Sequence, residues 1–169
     1  MELNKKDEAY SKAYFRVLNF LSFSKRSKKE LLDKIEKYLS KTYLPKKDKD
    51  DVREQIIQNL KTDGYLKETI DEDFANSYVQ GLRNSGKSFN GIRISQFLSK
   101  KGIPKEIIND VISNIDDEAV YESVLKDAEK KLRSLKNESA LRKKQKLLNF
   151  LYRKGYPFDI VSSVVDTLL

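Results

Sequence analysis

A pattern that occurs twice constrains the fold of this chain more than any other feature. It spans residues 97–112 and returns at residues 150–165, a constant offset of 53 positions. Gly102 and Gly155 can adopt the left-handed conformation that ends a helix, and Pro104 and Pro157 suit the first turn of the next helix. Each copy therefore predicts a helix, a tight corner and a second helix, and the repetition predicts a repeat architecture.

An earlier stretch matches the same pattern with an interruption. Residues 38–41 match residues 97–100, and residues 52–57 match residues 107–112, with about four residues inserted between them. We interpret residues 42–50, which contain Pro45 and alternate Lys with Asp, as a polar corner. No alternating strand pattern competes with the helical spacing. The sequence predicts an all-α protein of three tandem three-helix repeats at residues 1–66, 67–116 and 117–169, forming an elongated array that can curve.

Several short motifs mark helix starts. Residues 27–30 form a capping box, in which Ser27 and Glu30 satisfy each other's backbone donors. Asp71, or Thr69 with Glu72, can cap the helix that follows, and Ser88 can cap the next one. The acidic triplets at residues 71–73 and 116–118 each stand at a predicted helix start. We therefore prefer capping to a metal-binding or acid–base role for them.

The composition excludes several classes of chemistry. The chain has 169 residues and contains neither His nor Cys. It therefore has no disulfide framework, no thiolate or imidazole metal ligand, and no cysteine nucleophile or histidine base. We expect no enzymatic activity and no cofactor. The polar N-terminus lacks a signal peptide core, and no apolar run approaches the roughly 20 residues that cross a bilayer. We expect a cytoplasmic monomer with no membrane partner.

The charge points to a polyanionic partner. The formal net charge is +8 and the pI is about 9.4, which favours nucleic acid or an acidic protein surface. An AT-rich genome would enrich Lys without any functional meaning, and a solvated helix face is the plain alternative for any single residue. The candidate binding residues are Arg26, Lys28, Arg83, Arg93, Lys101, Arg142, Lys143, Lys146, Arg153 and Lys154.

Three of these cations share one helix face. Arg142, Lys146 and Arg153 follow one another at spacings of four and seven residues, which places them in line along a helix. No comparable acidic run lies beside them, so we expect their charge to be poorly neutralised locally.

The chain resembles the RecX family of bacterial regulatory proteins, which modulate the RecA recombinase. The motifs that carry the resemblance are Arg26-Ser27-x-x-Glu30-Leu31-x-x-Lys34-Ile35, Gly64-Tyr65-Leu66, Asp71-Glu72-Asp73-Phe74-Ala75, Tyr78-Val79, Arg83, Ile94…Leu98-x-x-Lys101-Gly102-Ile103 and Leu151-x-x-Lys154-Gly155-Tyr156. They extend over roughly residues 9–169. The resemblance implies three-helix repeats, no catalysis of its own, and binding to the RecA filament on single-stranded DNA, with inhibition of RecA as the main effect.

Two other functions fit a basic helical array. A helix-turn-helix regulator would place one helix in the major groove of duplex DNA, although the apolar helix after each corner offers few side chains to read bases. A plain protein-interaction scaffold is the other alternative. Both filament binding and helix-turn-helix regulation allow direct contact of the chain with single-stranded or double-stranded DNA.

Overall fold

The computed structural model describes residues 5–85, 87 and 89–169. Over these ranges the chain forms nine α-helices and no strand, which confirms the all-α prediction. The helices are α1 (Lys5–Ser22), α2 (Lys28–Leu39), α3 (Lys46–Thr62), α4 (Ile70–Asn84), α5 (Gly91–Lys100), α6 (Lys105–Ser113), α7 (Asp117–Arg133), α8 (Ala140–Arg153) and α9 (Phe158–Leu168). They form three consecutive sets of three, as the repeat predicts. The repeat boundaries after residues 66 and 116 stay a prediction.

The chain divides into two compact units. The first comprises Met1–Ala75 and Lys101–Pro104, and the second comprises Asn76–Lys100 and Lys105–Leu169. The corner that follows α5 therefore belongs to the first unit, although the helices on both sides of it belong to the second.

Each unit has a core built from helical stripes. In the first unit the core side chains from α1, α2 and α3 that are at most 1% exposed are Ala13, Val17, Leu31, Ile35, Leu39, Val52, Ile56 and Leu60. In the second unit those from α7, α8 and α9 are Val124, Ala128, Leu147, Leu151, Val161, Val164 and Val165. Burying one Leu, Ile or Val side chain contributes about 1.5–3 kcal/mol, so these stripes hold the helices together.

The predicted polar corner at residues 42–50 is wrong in extent. α3 begins at Lys46, directly after Pro45, and the Lys–Asp run forms its first turns. The spacing from Leu39 to Pro45 equals that from Leu98 to Pro104, so the corner has its ordinary length. The inserted residues lengthen the helix instead: α3 has 17 residues, whereas α6 has 9 and α9 has 11. Four residues make about one helical turn, which preserves the apolar stripe.

The helix starts confirm two of the predicted caps and correct a third. The capping box at Ser27 and Glu30 is present, and the Asp116 side chain accepts from the backbone N–H of Glu118. Asp71 does not cap its own helix, because its Oδ1 accepts from the backbone N–H of Lys28, 2.8 Å away, at the start of α2. The predicted cap Ser88 and the predicted helix end Gly86 lie outside the described residues.

Leu141 departs from the predicted stripe of α8. The sequence places it among the core residues of that helix, but its side chain is 79% exposed. It is the second residue of α8, and the buried positions of this helix are Leu147 and Leu151, one turn apart in its second half. The first turn of α8 therefore projects beyond the packed part of the unit's core.

Candidate functional site

Both glycine corners are hydrogen-bonded, through the backbone carbonyl that precedes the glycine, to the start of an earlier helix. We call this contact a joint. The Ser27 hydroxyl, at the start of α2, donates to the backbone carbonyl of Lys101 at 2.7 Å. The Asn90 side-chain amide, at the start of α5, donates to the backbone carbonyl of Lys154, and its oxygen accepts from the backbone N–H of Arg93 at 2.9 Å. In both cases a side chain at a helix start binds a corner that comes later in the chain. A Lys–Gly pair stands in both joints, at an interval of 53 residues.

The lysine in each joint has a structural role. Lys101 forms an ion pair with Glu30, whose side chain is 17% exposed. Lys154 lies 2.7 Å from the Asp127 carboxylate, which is 13% exposed, and its ammonium group lies 5.0 Å from the centre of the Phe150 ring. The Tyr156 hydroxyl donates to the same Asp127 carboxylate. Because each lysine already has a partly buried counter-ion, Lys101 and Lys154 contribute less free charge than the sequence suggests.

The two predicted cations at the start of α2 differ in how firmly their side chains are held. The guanidinium of Arg26 lies 4.0 Å above the centre of the Phe20 ring, and its Nε donates to the Phe20 carbonyl at 3.3 Å. Lys28 is exposed, and its backbone N–H is bound by Asp71, whereas its side chain has no partner among the described residues. Arg26 is therefore held in place by its own unit, whereas the Lys28 ammonium points to solvent.

Helix α8 brings the predicted basic residues onto one exposed strip. Arg142, Lys146 and Arg153 are all exposed, and Lys143 is half-buried beside them. The expectation that this charge is poorly neutralised is wrong for Lys146, which forms an ion pair with Glu138 at 2.5 Å. Arg142 and Arg153 form no ion pair with any residue of the described ranges. The two arginines therefore carry most of the unneutralised charge of the strip.

A groove along α8 adds a cation that the sequence did not single out. It has a volume of about 560 Å³ and is lined by Lys131, Leu135, Lys146, Asn149, Tyr152 and Arg153. Lys131 comes from the last turn of α7, and its ammonium lies 5.5 Å from the centre of the Phe150 ring. It stands fifteen positions before Lys146 on another helix, so no spacing rule within α8 can find it. Three cations and no carboxylate line this groove, which we call the α8 groove.

Arg83 lies among acidic residues as well as basic ones. Arg83 lines a depression of about 450 Å³ together with Lys87 and Lys126, but Asp116, Glu118 and Glu122 line it as well. Arg93 is exposed in the first turn of α5. Because acids offset the cations around Arg83, this surface attracts anions less strongly than the α8 groove does.

The described residues offer no other chemical centre of the common kinds. Within residues 5–85, 87 and 89–169, no three carboxylate side chains come close enough together to hold a metal ion. Over the same ranges no helix combines the length and apolar character that a membrane span requires.

Known proteins share both the sequence and the fold. The family model for the second three-helix domain of RecX matches residues 71–112, and the model for the third matches residues 117–165. Regulatory protein RecX of Clostridioides difficile is 29% identical over 164 residues, 96% of this chain and 71% of that protein. Regulatory protein RecX of Clostridium perfringens strain 13 is 32% identical over 170 residues, 99% of this chain and 73% of that protein.

A solved structure agrees with these matches. The crystal structure of RecX from Lactobacillus salivarius has a TM-score of 0.75 and 28% sequence identity to this chain, and the match covers 96% of this chain and 97% of the other. The likeness extends over almost the whole of both chains.

Proposed function

Because this chain belongs to the RecX family of regulatory proteins, we propose that it binds the filament of RecA on single-stranded DNA and inhibits the RecA ATPase and strand exchange. It does so as a cytoplasmic monomer without catalysis of its own. The chemistry that fits this proposal is electrostatic: an exposed basic surface meets DNA phosphates or acidic surface of RecA.

The α8 strip is the feature that supports this proposal best. Arg142 and Arg153 lie in line on one helix face, and Lys146 and Lys131 extend the positive surface into the α8 groove. A planar guanidinium can donate two parallel hydrogen bonds to a phosphate or a carboxylate. An array of this kind binds a regular polyanion without reading its sequence.

The packing of the helices after each corner argues against sequence-specific reading of duplex DNA. α6 turns Ile108 and Val111 into its unit, and α9 does the same with Val161, Val164 and Val165. A recognition helix presents polar side chains to the base edges of the major groove. α6 carries one basic residue, Lys105 at its start, and α9 carries none, so neither helix has several cations with which to contact DNA.

The direct test is the ATPase activity of RecA on single-stranded DNA, measured with and without this protein. We expect the activity to fall as the protein is added at substoichiometric to stoichiometric ratios. A control with RecA in the absence of DNA separates an effect on the filament from an effect on free RecA. An unchanged ATPase, together with no binding to the filament, would refute the proposed function.

A charge reversal tests the surface. The triple variant Arg142→Glu, Lys146→Glu and Arg153→Glu should bind the filament at least about tenfold more weakly at low salt. Its binding should also depend less on salt, because fewer counterions are released. The melting temperature should change little, since exposed charges contribute little to folding.

A matched control keeps the net charge equal. Lys37, Lys41 and Lys61 are exposed residues of the first unit, and reversing all three to Glu changes the charge by the same amount. We expect this control to retain at least about a third of the wild-type affinity, because screening limits charge effects to about 10 Å. Equal losses in both variants would assign the effect to net charge and not to the α8 strip.

A further inference from the structure

The first unit contains an apolar groove that no core residue fills. It has a volume of about 580 Å³ and lies along the second half of α1, next to residues 22–26 and to residues 64–73, which comprise most of the α3–α4 connection and the first turn of α4. Phe15, Leu18 and Leu21 of α1 line one wall, and Tyr65 and Ile70 line the other. All of these residues belong to the first unit. We call this feature the α1 groove.

Large apolar side chains at the α1 groove and beside it are exposed to solvent and do not pack into the core of the unit. The core stripe of α1 consists of Ala9, Ala13 and Val17, so Phe15 stands outside it and is 65% exposed. Phe23, in the segment that borders the groove, is 84% exposed, and Tyr65 is 46% exposed. Clustered exposed apolar side chains mark interaction surfaces, whereas scattered ones do not.

The rim of the α1 groove is positively charged. Lys25, Arg26 and Lys67 line it, against the single carboxylate of Asp73. Lys25 and Lys67 are exposed. Arg26 is held at the rim by Phe20, through its stacking on the ring and the Nε hydrogen bond to the carbonyl. A fixed guanidinium at the edge of an apolar groove loses little conformational freedom when it binds an anion.

We propose that the α1 groove is a docking site for a peptide segment of a partner protein that carries a bulky apolar side chain between acidic residues. The apolar side chain enters between Leu18, Leu21 and Ile70, and the flanking carboxylates meet Lys25, Arg26 and Lys67. The charge of the rim selects an acidic partner over a basic one. This site is separate from the α8 strip and does not depend on the proposed function.

A peptide fits the α1 groove better than a nucleobase does. Its lining is mainly apolar, with Leu18, Leu21 and Ile70 among its members, although Asn19, Ser22 and Ser24 line it too, and the apolar part matches an aliphatic or aromatic side chain. A base packed against Leu18, Leu21 and Ile70 would place the polar atoms of its edge against aliphatic side chains, which costs free energy. Bases bind instead on open aromatic platforms with room for their hydrogen-bonding edges.

The test uses the isotope-labelled full chain and follows backbone amide signals by NMR. The probe is the capped hexapeptide Glu-Asp-Leu-Phe-Glu-Asp. One comparison peptide has Lys at the four acidic positions, a second has Ser in place of Leu and Phe, and a third probe is a thymidylate decamer. We expect the acidic apolar peptide to shift the signals of Phe15, Leu21, Tyr65 and Lys67 saturably. Both altered peptides should bind at least about tenfold more weakly.

Variants assign the site. Phe15→Ser should weaken the binding of the peptide about fivefold or more at every salt concentration, because it removes an apolar wall. Lys25→Glu with Lys67→Glu should weaken it about tenfold and remove most of its salt dependence. Leu141→Ser is the control, since Leu141 is 79% exposed but lies in the second unit, and it should bind as wild type does.

Three outcomes would overturn the proposal. The first is the absence of saturable shifts around the α1 groove with the acidic apolar peptide. The second is binding of the thymidylate decamer in the groove as tightly as the peptide. The third is a loss of peptide binding in Leu141→Ser equal to that in Phe15→Ser. None of these measurements includes RecA, so they are independent of the ATPase test.

Discussion

Replacing the left-handed glycines one at a time by alanine separates the cost of backbone strain from the cost of a steric clash at the new Cβ. Gly64, Gly102 and Gly155 have φ values of 75°, 78° and 81°, so each alanine meets nearly the same backbone strain. The surroundings differ. A Cβ at Gly64 would meet nothing within 4 Å, whereas one at Gly102 would lie 2.6 Å from Cδ and 2.8 Å from Cβ of Lys29.

The third position is the most crowded. A Cβ at Gly155 would overlap Cδ1 and Cγ1 of Ile92. Ile92 is branched and stiff at χ1, so it cannot turn aside as easily as the long chain of Lys29. The strained φ alone costs about 1 kcal/mol for alanine, and overpacking adds about 1–3 kcal/mol. We therefore expect losses of about 1 kcal/mol for Gly64→Ala, about 2 kcal/mol for Gly102→Ala and about 2–4 kcal/mol for Gly155→Ala.

The assay is urea denaturation followed by circular dichroism at 222 nm. Gly64 and Gly102 lie in the same unit, so their free energies of unfolding can be compared directly. In the second unit we compare Gly155→Ala, Ile92→Ala and the double variant in a double-mutant cycle. Ile92 suits this cycle because it is 47% exposed in the wild type. The double variant should recover at least about 1 kcal/mol of the cost of Gly155→Ala. Equal costs for Gly64→Ala and Gly102→Ala, or no coupling between residues 92 and 155, would refute the reasoning from close approach.

Three further predictions test single contacts. Ser27→Ala should lower the free energy of unfolding by about 2–3 kcal/mol, because it removes the cap of α2 and the hydrogen bond to the carbonyl of Lys101. The control is Ser139→Ala, at a helix start where the side chain makes no capping bond. It should cost less than about 0.5 kcal/mol in the same urea denaturation assay. Burial and the hydrogen bond to the Asp63 carboxylate raise the pKa of Tyr14 above its ordinary value. The unfolded state therefore loses this proton first, and the free energy of unfolding should fall as pH rises above about 10. In urea denaturation from pH 9 to 11, the free energy of unfolding should decline less for Tyr14→Phe than for wild type. Asp73→Asn with Asp117→Asn should leave the inhibition of the RecA ATPase unchanged, because we assign these acids to helix starts; loss of inhibition in a folded variant would assign them a functional role.

The repeat made most of the fold predictable. Local chemistry explains why: the Gly–x–Pro corner dictates its own backbone conformation, and a capping box needs only residues within one turn. The RecX resemblance, which the family models confirm, rests on the same local motifs. The misplaced start of α3 has a local cause too, because a Lys–Asp run after Pro45 reads equally well as a polar loop or as the solvated first turns of a helix.

The basic residues show where sequence reasoning ends. Residues 142, 146 and 153 were placed on one face correctly, since only helical periodicity is required. Helical periodicity did not predict the ion pair of Lys146, because its partner Glu138 lies in the turn before α8 and not on the helix. The sequence predicts Lys101 and Lys154 as binding candidates, yet the structure pairs them with Glu30 and Asp127. Lys101 stands 71 residues away from its partner.

By itself, the sequence determined the all-α class, the corners, the capping box and the family, since each depends on residues within a few turns of one another. Only the tertiary structure decided which cations keep their charge, which helix start receives which corner, and that the apolar residues of α1 border an open groove. The physical reason is distance along the chain. Ion pairs and grooves form between residues that folding brings together, and no local pattern records which of the many possible partners a side chain meets.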